Sequence, residues 1–165
     1  LTLRQTTKEV SYSMPAMQES IDAVRLAAKA ADSMKGEDIV AFDVTEPLAI
    51  TDIFLLVTGD NPRQVLSIAE EVEKQLYVQL GLKPREREGV TEGQWVLQDY
   101  GDFVVHVMDK ESREFYDLDR LWKECPRIDL QLPDTAENGD TSAGIENKVS
   151  AKTGEQGSDS ASAQE

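Results

Sequence analysis

Apolar residues follow first a helical and then a strand-like period along the start of the chain. From residue 17 to residue 34 they recur every three or four positions in an alanine-rich segment, which predicts a first helix that stops near Gly36. Residues 38–45 are rich in β-forming types and predict a strand. Residues 52–59 are apolar almost throughout, which is typical of a central strand covered on both faces.

The middle of the chain predicts a second helix and a hairpin. Asn61 suits the N-cap of the helix and Gly81 suits its end. Residues 83–89 are charged and predict at most a short edge strand. Residues 92–109 predict two strands joined by a turn, and both strands carry apolar residues on both sides. The pattern therefore leaves open whether Trp95 belongs to the core or to a binding surface.

The last apolar pattern, over residues 110–124, predicts a single closing helix. Phe115, Leu118 and Trp122 are expected on its buried stripe, with Tyr116 off that stripe. This helix would complete the folded part of the chain, because few large apolar residues follow it.

The order of these elements predicts a single-domain α/β fold, a mixed β-sheet with flanking helices. We assign the domain to residues 17–132. Residues 1–16 are predicted to be a flexible N-terminal segment, with expression-vector sequence as one explanation. Residues 133–165 are rich in Gly, Ser, Asp and Glu and predict a disordered acidic tail, because burial there cannot offset the entropy of ordering.

The charge of the chain bears on its partners. The formal net charge is -15, and residues 18–133 alone carry 24 acidic and 13 basic residues. Such a domain repels phosphate backbones, so direct nucleic-acid binding is disfavoured. A basic protein surface is the natural complement, since opposite potentials speed docking, although acidity also serves solubility alone. No apolar run is long enough to predict a membrane-spanning helix.

Metal and thiol chemistry find little support in the sequence. One cysteine, Cys125, and one histidine, His106, cannot supply a usual zinc ligand set, and no cofactor is expected. A single thiol fits a reducing cytosol, so a cytoplasmic location is expected. His106 lies in the middle of an apolar strand and is interpreted as a hydrogen-bonded packing residue.

Two pairs of carboxylates are candidates for acid–base catalysis, and neither pair fits the task. Asp99 and Asp102 flank a glycine turn, where Asp is favoured by hydrogen bonds to its own backbone. Asp117 and Asp119 would point in opposite directions from one helix. The sequence therefore predicts no catalytic residues and no enzymatic activity.

The turn Gly59–Asn61 is a candidate anion site, because helix N-termini attract phosphate. It lacks the G-x-G-x-x-G and Walker patterns, and the strands predicted after it carry no Asp-x-Asp pair to hold magnesium. A divergent nucleotidyltransferase-like enzyme that binds a nucleotide at this turn is kept as the alternative function.

The remaining candidate is a protein-binding surface on the hairpin. In the strand that starts at Trp95, strict alternation places Leu97 and Asp99 on the same face as the indole and Tyr100 on the opposite face. Trp and Tyr carry much of the energy of protein interfaces. An aromatic ring among carboxylates suits a partner that offers Arg or Lys. Burial of Trp95 under the last helix is the competing interpretation.

Four strings in order carry a resemblance to one family. They are DIVAFDV, ITDIFLLVTGDNPRQV, REGVTEGQWVLQDYGDFVVHVMD and REFYDLDRLW. Their order and spacing, across about residues 18–130, resemble the ribosomal silencing factor family, also called Iojap-like or RsfS. The resemblance implies a fold similar to that of nucleotidyltransferases but without their catalytic site.

The resemblance also implies a function and a set of contact residues. Members of this family bind the large ribosomal subunit through its fourteenth ribosomal protein, block association with the small subunit and repress translation under nutrient limitation. They are often homodimers when free. The contact residues that the resemblance assigns here are Glu88, Trp95, Asp99, Tyr100, Asp102, Tyr116, Asp117 and Arg120.

Overall fold

The computed structural model describes residues 15–133 of the chain. Within this range four helices and five strands form one α/β unit. The helices are α1 (Gln18–Ser33), α2 (Pro62–Leu80), α3 (Lys110–Tyr116) and α4 (Leu118–Leu121). The strands are β1 (Glu37–Asp43), β2 (Ile53–Gly59), β3 (Glu86–Glu88), β4 (Trp95–Asp99) and β5 (Phe103–Asp109). The predicted single domain with a mixed sheet and flanking helices is confirmed.

The five strands form one sheet in the order β1-β2-β5-β4-β3. Strands β2 and β5 pair in parallel, whereas the other neighbours pair antiparallel. The second strand of the predicted hairpin is therefore the central strand of the sheet. This position explains its apolar residues on both sides, because Phe103 to Met108 are all buried.

Helices α1 and α2 cover one face of the sheet. Helix α1 packs through alanines such as Ala27 and Ala31, which let it approach the sheet closely, and α2 packs through its buried stripe from Val65 to Leu76. Helix α2 begins as predicted, because the Asn61 side chain accepts a hydrogen bond from the Gln64 amide at 2.9 Å. It ends at Gly81, whose φ of 68° is left-handed.

The other face of the sheet is covered only in part. Phe42, Val44 and Leu56 form a small second core there, against which Leu118 and Trp122 pack. The side of the sheet away from α1 and α2 is called the open face below. It runs along β2, β5 and β4 to the edge strand β3.

The closing segment differs from its prediction as one helix. It breaks at Asp117, whose φ of 45° and ψ of 53° are left-handed, into α3 and α4. Leu118 and Trp122 do pack inward, but Phe115 is 79% exposed and is not part of a buried stripe. The break turns α4 back toward the sheet, so the sequence period of one continuous helix does not apply across it.

Two boundaries also shift. Helix α1 ends at Ser33, and the left-handed residue after it is Lys35 with φ 61°, so the stop comes slightly before Gly36. Ala16 is buried and its amide donates to the Asp43 carboxylate at 3.2 Å, so packing starts one residue before the predicted domain boundary. The predicted flexible segment before it and the predicted acidic tail lie outside the described residues, apart from their innermost positions.

Candidate protein-binding site

Strand pairing fixes which side chains share the open face. Directly opposed residues point to the same side of a sheet. In this register Trp95 lies opposite Met108, and Leu97 lies between His106 on β5 and Glu88 on β3. Residues from three strands therefore form one continuous surface around the indole.

Trp95 is held in place by a hydrogen bond within the sheet. Its Nε1–H donates to Nδ1 of His106 at 3.0 Å, and the two rings lie 5.8 Å apart. An indole nitrogen only donates, so the neutral imidazole carries its proton on Nε2. The Trp95 side chain remains partly exposed, so it belongs neither wholly to the core nor wholly to the surface.

Two more aromatic rings extend the surface onto α3. The Tyr116 ring lies 4.8 Å from the Trp95 ring, and the Phe115 ring lies 5.0 Å from Tyr116 at 84°. Both side chains are mostly exposed, Phe115 at 79% and Tyr116 at 53%. Contiguous exposed apolar surface of this kind marks an interaction site more often than scattered single residues do.

Carboxylates lie beside the aromatic group formed by Trp95, Tyr116 and Phe115, on the side of the edge strand β3. Glu88 lies opposite Leu97, and Glu86 lies opposite Asp99, so all three acidic residues share the open face with Trp95. Glu86 and Glu88 are exposed and Asp99 is partly buried. The open face thus combines an ordered indole with a negative rim, and a rim of this sign is complementary to a basic surface.

Comparisons with known proteins identify the family of the chain. The family model described as "Ribosomal silencing factor during starvation" matches residues 17–157. The chain belongs to the ribosomal silencing factor family. The resemblance drawn from the four sequence strings is confirmed, and the match extends past the domain into the segment predicted as a tail.

Similar proteins come from bacteria and from mouse. The ribosomal silencing factor of Bacillus subtilis (strain 168) is 40% identical over 115 residues, covering 70% of this chain and 95% of that protein. A mouse protein named mitochondrial assembly of ribosomal large subunit protein 1 is 30% identical over 88 residues, covering 52% of this chain and 38% of that protein. The crystal structure of a protein from Chromobacterium violaceum shares the fold with a TM-score of 0.59 and 35% identity, covering 67% of this chain and 88% of that one.

The structure brings half of the predicted contact residues together. Those on or beside the open face are Glu88, Trp95, Asp99 and Tyr116. Asp117 and Arg120 are exposed at the corner between α3 and α4, next to Tyr116 in the chain. Asp102 is exposed in the β4–β5 turn, where its carbonyl accepts from the Asp52 amide.

Tyr100 lies apart from this group. Its ring stacks on Phe103 at 4.8 Å and packs against the core on the side of α1 and α2. Burial is the main cause that raises the pKa of its phenol. The strand alternation already predicted that Tyr100 faces away from Trp95, and the structure agrees with the alternation.

One carboxylate in each pair considered for catalysis has a structural partner. Asp99 accepts from the Gly101 amide at 2.8 Å, which is the turn bond expected of it. Asp119 accepts two hydrogen bonds from the Arg113 guanidinium, at 2.7 and 2.9 Å. This pair holds the pKa of Asp119 below its usual range, chiefly through the hydrogen bond from Arg113. One carboxylate of each pair, Asp99 or Asp119, thus already has a partner within the fold.

The polar groups of the Gly59–Asn61 turn make hydrogen bonds and an ion pair within the domain. Asn61 caps α2, and the Asp60 amide donates to the Gln64 side chain at 2.6 Å. The Asp60 carboxylate pairs with Lys110 at 2.7 Å and adds negative charge beside the helix N-terminus. A bound phosphate would meet that carboxylate, so this geometry does not favour a nucleotide there.

Two absences apply to the described part of the chain. Between residues 15 and 133, no group of three or more His, Cys, Asp or Glu side chains lies close enough together to hold a metal ion. In the same range, each helix is too short or too polar to cross a lipid bilayer.

Sequence reasoning missed two residues that position the site. It identified His106 correctly as a packing residue but not as the hydrogen-bond partner of Trp95. Arg113 was not singled out, although it is buried and also donates to the Thr58 hydroxyl at 2.9 Å. The available signal was an arginine in the helix that follows a central strand, with an aspartate six positions later at Asp119.

The His106 ring predicts a pH dependence of stability. Burial, with a smaller effect of the Arg113 guanidinium, lowers the pKa of His106 to about 4. The unfolded chain then binds more protons than the folded one between about pH 4 and 6.5, so stability is lost as pH falls through that window. From pH 7 to pH 5 this group should remove roughly 2 kcal/mol of the free energy of unfolding.

The measurement is urea unfolding at both pH values, for the wild type and for His106→Asn. Asparagine can still accept the hydrogen bond from Trp95 but does not titrate. Between pH 7 and pH 5 the free energy of unfolding of this variant should therefore fall by roughly 2 kcal/mol less than that of the wild type. Equal losses in the two proteins would show that the ring does not control this dependence.

Proposed function

We propose that this chain is a ribosomal silencing factor that binds the large ribosomal subunit and represses translation by keeping the small subunit away. Family membership and the name of the mouse relative support the large subunit as partner. The fourteenth ribosomal protein of that subunit is the proposed docking site. The observation that carries the proposal is the ordered, partly exposed Trp95 inside a negative rim on an open sheet face.

The proposed mechanism is occlusion, with no chemical step. A standard protein interface buries about 800 Å² on each partner, which the open face of a domain of this size can supply. A folded domain held on the surface that meets the small subunit would prevent joining by its volume alone. Under this proposal the protein acts in the cytoplasm and chiefly when nutrients are limited.

A homodimer through the same face is a second candidate state, favoured by the exposed rings of Phe115 and Tyr116 beside Trp95. Self-association would bury apolar surface that is otherwise in contact with water. In such a dimer the acidic rims of the two copies would face each other and repel. A basic partner should therefore displace the second copy. Dimer and ribosome complex would compete for one surface.

Subunit joining tests the proposed function directly. Purified large and small ribosomal subunits are mixed in magnesium buffer, and monosome formation is followed by light scattering and on sucrose gradients. Excess protein added to the large subunits first should remove most of the monosome signal. Protein added after joining should act more slowly, because its site is then covered. Normal monosome formation with the large subunits saturated would contradict the proposal.

A further inference from the structure

A groove of about 280 Å³ opens on the open face beside the aromatic group. Its apolar walls come from Leu48 and Ile50 in the β1–β2 connection and from Phe54, Leu97 and Val104 on three strands. Ile50 is 87% exposed, although it is one of the most apolar residue types. A volume of this size accommodates one or two side chains rather than a cofactor.

Within residues 15–133, two buried polar atoms of the groove residues have no hydrogen-bond partner. They are Oγ1 of Thr51 and Nε2 of His106, and the residues are only 6% and 5% exposed. Nδ1 of His106 accepts the hydrogen bond from Trp95, so its Nε2–H is a donor without an acceptor in the described part of the chain. Buried polar groups are nearly always paired, because leaving one unpaired is costly. Both belong to residues that line one groove, where a bound partner can supply the acceptors.

We propose that this groove receives an apolar side chain of the ribosomal partner protein, and that Thr51 and His106 donate hydrogen bonds to neutral oxygens of the same segment, such as its backbone carbonyls. This inference rests on the proposed function and specifies how that partner is recognised.

A neutral acceptor fits the charges better than an anion. The groove also contains Asp99 and Arg85, whose charges offset each other, and the acidic rim beside it repels a carboxylate. A carbonyl oxygen needs a donor such as Thr51 Oγ1–H or His106 Nε2–H but brings no charge to desolvate. Both atoms expose less than 1 Å² in the free protein, so a lining side chain must change rotamer on binding, as is common at interfaces.

The substitution Thr51→Val separates this proposal from a purely structural role. Valine keeps the shape of threonine and removes the unpaired hydroxyl, so the thermal midpoint of the free protein should stay unchanged or rise. Binding to purified large ribosomal subunits should weaken by about tenfold, the effect of one lost hydrogen bond to a buried group. Dissociation constants are measured by fluorescence anisotropy of the labelled protein.

Thr45→Val is the matched control in the same connection between β1 and β2. The Thr45 hydroxyl already donates to the Asp43 carboxylate at 2.6 Å, so its removal should lower the thermal midpoint and leave binding unchanged. Unchanged binding by Thr51→Val would overturn the proposal. A lowered midpoint with unchanged binding would show that a bound water satisfies the groove instead.

The same titration separates this inference from the proposed function. If the wild type binds large subunits and Trp95→Ala does not, the open face is supported as the docking surface. The result for Thr51→Val then tests only the proposal about the groove. If the wild type does not bind large subunits at all, both the proposed function and the inference fail.

Discussion

Replacing Trp95 by alanine is expected to weaken binding to large ribosomal subunits by about 100-fold, the range of an interface hot spot. The substitution removes the indole of β4 from the open face and the contact that Tyr116 makes with it, with ring centroids 4.8 Å apart. It also leaves Nδ1 of His106 without its donor, which should lower stability by about 1 kcal/mol without unfolding the domain. Binding is measured by anisotropy, and folding by far-ultraviolet circular dichroism at the same temperature.

Two variants show whether the effect is specific to this ring. Trp95→Phe keeps an aromatic ring against Tyr116 but loses the hydrogen bond to His106, so its affinity should fall between wild type and alanine. Tyr77→Ala removes an aromatic side chain that is 53% exposed on α2, on the opposite side of the sheet, and should not change binding. Full affinity of a folded Trp95→Ala protein would exclude the indole from the interface.

The sequence predicted best those features that local residues determine. Helix α2 starts and ends where Asn61 and Gly81 indicated, because capping involves neighbours within one turn. The two faces of β4 follow from simple alternation, which placed Trp95 with Asp99 and away from Tyr100. Such features can be derived without knowing the rest of the fold.

Strand order could not be derived in the same way. The parallel pairing of β2 with β5 joins residues such as Ile53 and Phe103 across the whole of α2 and two strands. An apolar run indicates burial on both faces but not which strands lie on either side. The Trp95–His106 bond depends on the register of the hairpin, so the local pattern did not reveal it either.

The break in the closing helix has a similar origin. Residues 110–124 fit one helical period, and Asp117 alone gives no strong stop signal. What holds the break is Arg113, which joins Asp119 beyond the break to Thr58 on β2, 55 positions away in sequence. A contact at that separation overrides a local period, and it carries Tyr116 onto the open face.

Replacing Asp119 by alanine should lower the free energy of unfolding by about 3 kcal/mol, because it leaves the buried Arg113 guanidinium without its counter-charge. The Arg113 side chain is 10% exposed and the Asp119 side chain 36%, so water can reach only one side of the pair. For that reason the expected loss of stability is at the lower end of the range for breaking a buried ion pair. Urea unfolding at pH 7 gives the value directly.

Two variants test the cause of that loss. Glu114→Ala removes a negative charge from an exposed residue next to Arg113 in α3, and should lower the free energy of unfolding little. Arg113→Met combined with Asp119→Ala removes the buried charge together with its partner, so much of the lost stability should return. A single Asp119 variant no less stable than the Glu114 variant would mean that the guanidinium finds water, and the α3–α4 corner would then need another explanation.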